Sequence, residues 1–122
     1  MKPFSIFHIG KILLVSLQEE IDDAQVLQLL KELSQKVKAT NSEAVIVDLS
    51  NVEVIDTFLA ENIQKLASTM GLFRAQVVVS GLGAPAIVAL KSFNMSFGHN
   101  LRFALDAEQA LGKVGHKLIK IE

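Results

Sequence analysis

The chain has 122 residues, half of them apolar, with a formal net charge of −1 and no cysteine. That length suits one domain, which must be held by hydrophobic packing because disulfides and thiolate metal sites are excluded. Twelve basic against thirteen acidic residues leave no positive excess for a phosphate backbone, so nucleic acid is not the expected partner. The reading is a single cytoplasmic domain over 1–122. The apolar run near the N-terminus is broken by Ser5, His8 and Gly10 and is too short for a signal peptide or a spanning helix, so no membrane association is expected.

The first two apolar runs, Phe4 to Ile9 and Ile12 to Leu17, are separated by Gly10-Lys11, which predicts a hairpin. From Asp22 the period becomes helical, with Val26, Leu30, Leu33 and Val37 on one side and Asp22-Asp23 placed as cap and first-turn charge. Ala44 to Leu49 is β-branched and lacks polar alternation until Asp48, which predicts a strand covered on both faces with Asp48 near its carboxyl end. A second helix is expected from Thr57 to Met70, with Leu59, Ile63, Leu66, Ala67 and Met70 buried and Gly71 ending it. Gln76 to Ser80 repeats the buried-strand pattern. Gly81 to Pro85 turns into a third helix with Ile87, Leu90 and Phe93 inward, and Asn94 to Asn100 reads as loop. A short strand at Arg102 to Leu105 precedes a last helix from Asp106, with Ala107, Ala110, Leu111 and Val114 as its stripe. The sum is an α/β domain: a mixed sheet with parallel later strands and about four helices packed against it.

The residues with chemical potential collect between Val45 and Phe58, where a buried strand passes through a loop of two aspartates and two hydroxyls into a helix. The carboxyl ends of parallel strands are where function gathers in such sheets. Asp56 and Thr57 stand at the helix start, where free N–H groups and the positive end of the dipole favour a cap and also tolerate a phosphate. On the residues alone, capping and regulation are both open. A phosphate on Thr57 would meet the Asp56 carboxylate and Glu61 one turn on, so it should change local electrostatics more than the fold. Asp48 has its own plain role in hydrogen-bonding the loop after its strand. Gly81 to Gly83 lacks the remaining glycines and the lysine of a phosphate-cradling loop. His8, His99 and His116 lack ligand spacing, and the sequence offers no cofactor or metal motif.

The stretch Val-Ile-Val-Asp-Leu-Ser-Asn-Val-Glu-Val-Ile-Asp-Thr-Phe, with the opening hairpin and the later Val-Val-Val-Ser-Gly-Leu, resembles the STAS domain of bacterial anti-sigma factor antagonists from about Phe4 to Val114. In that family the buried strand ends in Asp-Leu, and the residue after a later aspartate is a serine that a partner kinase phosphorylates. The matching positions are Asp48, Leu49, Asp56 and Thr57. Thr57-Phe58-Leu59-Ala60, Leu13 to Asp23 and Ala104 to Leu111 are similar to the compact stressosome scaffold branch. The resemblance implies a non-enzymatic scaffold and antagonist, with Thr57 as phosphoacceptor and Asp48, Ser50, Asp56 and Phe58 supporting the switch loop. It further implies assembly with sensor paralogues bearing C-terminal STAS domains, a serine/threonine switch kinase held until phosphorylation, and a serine/threonine phosphatase. Thr57 replaces the usual serine, and its extra methyl is expected to slow transfer or removal of phosphate. Two alternatives are a receiver-like domain, phosphorylated at Asp48, and a STAS subunit of a lipid or anion transport system. The receiver needs a metal-binding acidic pair after the first strand, where this chain has Gly10-Lys11.

Overall fold

The computed structural model describes residues 3–18, 21–52, 55–84, 87–88 and 100–115. Within them the order is β1 (Phe4–Ile9), β2 (Ile12–Leu17), α1 (Asp23–Thr40), β3 (Ala44–Asp48), α2 (Thr57–Leu72), β4 (Gln76–Ser80), β5 (Leu101–Ala104) and α3 (Ala107–Val114). Three helices are thus found among the described residues. The further helix expected from Pro85, with Leu90 and Phe93, lies largely outside them; its entrance shows one helical bond, from the Ile87 N–H to the Gly83 carbonyl at 3.1 Å.

The five strands form one mixed sheet in the order β1-β2-β3-β4-β5. The hairpin pairs Ile9 with Ile12 across Gly10-Lys11, and Gly10 takes φ +57, a conformation glycine adopts without a Cβ penalty. The remaining pairs are parallel, with Ser16, Asp48 and Ser80 side by side in successive strands. Each crossover from β2 through β4 advances one strand in the same direction, so right-handed connections place α1 and α2 on one face of the sheet. Their apolar stripes meet Leu13, Val15, Val45, Val47, Val77 and Val79 there. On the other face Ala110 and Val114 of α3 cover Ile12, Ala44, Ile46, Val78 and Ala104. Burial on both faces explains why β3 and β4 read as unbroken apolar runs.

Asp22 caps α1 in a capping box with Gln25, as its position suggested. Leu29, not Leu30, completes the fully buried stripe of that helix; Leu30 packs at its margin. A helix against a sheet presents a broad face, so a residue one step around the wheel from the narrow i, i+4 line can be the more central one. Gly71 does not end α2, which continues to Leu72. The chain leaves through a Schellman arrangement in which the Arg74 N–H donates to the Gly71 carbonyl at 3.0 Å and the Ala75 N–H to the Met70 carbonyl at 2.9 Å. Arg74 occupies the left-handed position at φ +62. In α3 Ala107 and Leu111 are half-buried, since the short helix rests mainly on Ala110 and Val114.

Candidate functional site

The site is built at the carboxyl ends of β3 and β4. β3 delivers Asp48 to the sheet edge, where the chain turns through Leu49-Ser50-Asn51-Val52, closed by a bond from the Val52 N–H to the Leu49 carbonyl at 3.0 Å. Val52 and Ile55 are partly buried against the core and anchor the connection there. The chain then enters α2 at Asp56. The Asp56 carboxylate accepts the Leu59 N–H at 2.8 Å, and its carbonyl accepts the Ala60 N–H at 3.1 Å, so Asp56 is the N-cap.

Thr57 is therefore the first residue of the helix. It is exposed, and its hydroxyl has no hydrogen-bond partner among the described residues. Free backbone donors of the first turn lie beside it, at the positive end of α2. Phe58 is half-buried against the core, and its carbonyl accepts the Asn62 side-chain amide at 2.8 Å. Asn62 is itself buried, a polar position hidden in the helical stripe because its donor is spent on its own helix.

Asp48 is half-buried and its carboxylate is fully engaged. Oδ1 accepts the Ser80 hydroxyl at 2.8 Å and Oδ2 accepts the hydroxyl of Ser50, which is exposed. The Leu49 N–H donates to the Ser80 carbonyl at 2.8 Å, extending the β3–β4 ladder one step beyond Asp48. Asp48 and Ser50 thus stand together at one end of the β3–α2 connection and Asp56, Thr57 and Phe58 at the other. Ser80 was not singled out from the sequence. Aligning Ala44 to Asp48 with Gln76 to Ser80 as neighbouring parallel strands would have found it, since both apolar runs end in a polar residue at the same register. Of the three histidines, His8 is exposed on β1, while His99 and His116 lie outside the described residues. Among the described residues there is no group of three or more potential metal ligands, and no helix is long and apolar enough to cross a membrane.

Residues 4–108 match the STAS domain family model. The chain belongs to the STAS family. The fold of this STAS domain is similar to that of an RsbS variant from Moorella thermoacetica, at 20% identity and a TM-score of 0.79, covering 90% of this chain and 92% of that one. It is equally similar to a chain of the stressosome, described as a signal integration and transduction hub, with 20% identity, a TM-score of 0.78 and coverage of 90% and 95%. The anti-sigma factor antagonist SpoIIAA in its unphosphorylated form matches at 14% identity and a TM-score of 0.69, over 91% of this chain and 96% of that one. No curated protein matches the chain. The receiver alternative falls with this assignment: a receiver is doubly wound with its first strand inside the sheet, whereas here β1 is an antiparallel edge strand.

Proposed function

We propose that this STAS domain is a phosphorylation-controlled scaffold and anti-sigma factor antagonist of a bacterial stressosome. The observation that carries the reading is the exposed Thr57 hydroxyl at the first helical position, with the capping duty taken by Asp56. A residue relieved of capping can be modified without dismantling the helix start. Transfer would break the bond from the γ-phosphorus of ATP to its bridging oxygen, form a bond to Thr57 Oγ1, release ADP and pass the hydroxyl proton to a base of the kinase. The product adds about 1.5 to 2 negative charges at pH 7, next to Asp56 and one turn from Glu61. A kinase docked on this corner would lose its fit through charge and not through unfolding.

In this reading the unmodified cytoplasmic protein assembles with sensor paralogues through their STAS domains and holds a serine/threonine switch kinase. Phosphorylation of Thr57 releases the kinase, and a serine/threonine phosphatase resets the switch. The similarity in fold to RsbS, to a stressosome chain and to SpoIIAA supports this reading. The test is incubation of the purified protein with its cognate kinase and ATP, followed by mass spectrometry. A single phosphate on Thr57, absent in Thr57→Ala, is the expected result; an unmodified Thr57 overturns the reading.

A further inference from the structure

The described residues between β3 and α2 beyond Leu49, 50–52 and 55–56, lie outside both the strand ladder and the helix. Ordering each such residue costs about 1–2 kcal/mol, so a loop that presents a hydroxyl in one place needs anchors. Its far end has the Asp56 cap and its middle has Val52 and Ile55 on the core. Its near end is tied to a different strand. Ser80, 32 residues from Asp48 in sequence and with no exposed surface, spends its hydroxyl on Asp48 Oδ1, while Ser50 bonds the other carboxylate oxygen. A hydroxyl adds nothing to packing after three buried valines, and it is tolerated there only because it is bonded.

Gly81 completes the arrangement. Its φ is +84, and a Cβ built on it would stand 2.5 Å from the Ser50 nitrogen, 2.8 Å from the Ser50 Cα and 2.9 Å from Asp48 Oδ1. The loop backbone rests directly on the space a side chain would fill. The Gly81 N–H donates to the Leu105 carbonyl at 3.1 Å, which fixes Gly81 in turn to the exit of β5.

We propose that Ser80 and Gly81 are positioning residues for the phosphoacceptor: through Asp48 and Ser50 they latch the start of the acceptor loop to β4 and so hold Thr57 in the geometry a kinase reads. This rests on the reading of Thr57 as acceptor. Without the latch, the loop samples other arrangements, and the kinase must select the competent fraction. That loss appears in KM and leaves kcat nearly unchanged, because the hydroxyl and its neighbours are intact once bound.

The test compares Ser80→Ala, Asp48→Ala, Asp48→Asn and Gly81→Ala, each first shown by far-UV circular dichroism to retain the fold. Two readouts are used: steady-state phosphorylation of Thr57 by the cognate kinase, and hydrogen exchange of the Leu49, Val52, Ile55 and Leu59 amides without kinase. Ser80→Ala and Asp48→Ala are expected to raise KM about tenfold with kcat within about twofold, and to speed exchange of the loop amides. Asp48→Asn should stay near wild type, because its carbonyl can accept from Ser80 and its amide can donate to the Ser50 oxygen. Gly81→Ala should exceed both alanine variants in loop exchange. Failure of Asp48→Asn to rescue would assign the effect to charge and overturn positioning, as would unchanged KM and exchange in Ser80→Ala. If wild-type protein gains no phosphate at Thr57, the functional reading fails, and the exchange data alone decide whether the latch holds the loop.

Discussion

The Asp56 carboxylate accepts the Leu59 N–H at 2.8 Å, so the residue that caps α2 is the one before Thr57. Capping and the proposed modification are thereby divided between two adjacent residues, and the division can be measured. Asp56→Ala is expected to lower stability by about 1 kcal/mol, the usual cost of losing an N-cap. Thr57→Ala, at an exposed position whose hydroxyl has no hydrogen bond among the described residues, should stay within about 0.5 kcal/mol of wild type. Urea denaturation of the two variants checks this, and the reverse order would move the cap to Thr57.

A fixed negative charge at Thr57 should leave the fold intact. Thr57→Glu places a carboxylate at the positive end of α2, worth about 0.3–1 kcal/mol in its favour. Repulsion from Asp56 and from Glu61, four residues on, offsets part of that gain. A net change smaller than about 1 kcal/mol in chemical denaturation is expected, together with, under the proposed function, lost retention of the switch kinase in a pull-down.

Thr57→Ser removes one methyl from an exposed side chain and frees its χ1 rotation. The rate of phosphoryl transfer, and the rate at which a phosphatase removes the group, should both rise, with stability unchanged. Stopped assays quantified by mass spectrometry give both rates. Equal rates for serine and threonine would show that the methyl is not felt.

Arg74 holds φ +62 in the Schellman exit of α2, the position where glycine pays no Cβ penalty. The left-handed conformation costs an ordinary residue about 1–2 kcal/mol, so Arg74→Gly should stabilise the protein, by less than that amount because the unfolded chain also gains freedom. A raised midpoint in urea, with unchanged slope, is the expected observation.

Asn100 joins the end of α2 to the start of β5. Its side-chain amide donates to the Ala67 carbonyl at 2.8 Å and to the Ala75 carbonyl at 2.9 Å. Replacement by alanine should cost about 1–3 kcal/mol, and replacement by aspartate more, since a carboxylate would face two carbonyl oxygens. Thermal denaturation of the pair tests the order.

Much of this architecture is written in local patterns. The hairpin at Gly10-Lys11, the caps at Asp22, Asp56 and Asp106, and the two buried strands around Val45 and Val78 all follow from rules that act within a few residues. The parts that escaped depend on contacts between distant segments. Leu29 outranks Leu30 because of how α1 lies on the sheet, and Gly71 stays helical because the exit chemistry is supplied by Arg74 and Ala75. At the site, Asp48, Ser50, Asp56 and Thr57 were legible as a loop rich in carboxylates and hydroxyls. Ser80 was not, because its partner lies on another strand and the pairing register had first to be known. Phe58 is half-buried against the core, a placement that its position at a helix start does not specify.

Each strand of the sheet lies beside the strand that precedes it in the chain. No piece of the sheet has to be kept open for a strand made later, so as the polypeptide leaves the ribosome each new strand finds its neighbour already in place. Assembly can run from one edge to the other in the order of synthesis, with β1 and the newest strand as the two open edges at each stage. For a protein proposed to work inside a large assembly of related domains, that order limits the chance that a half-made copy pairs with the wrong partner.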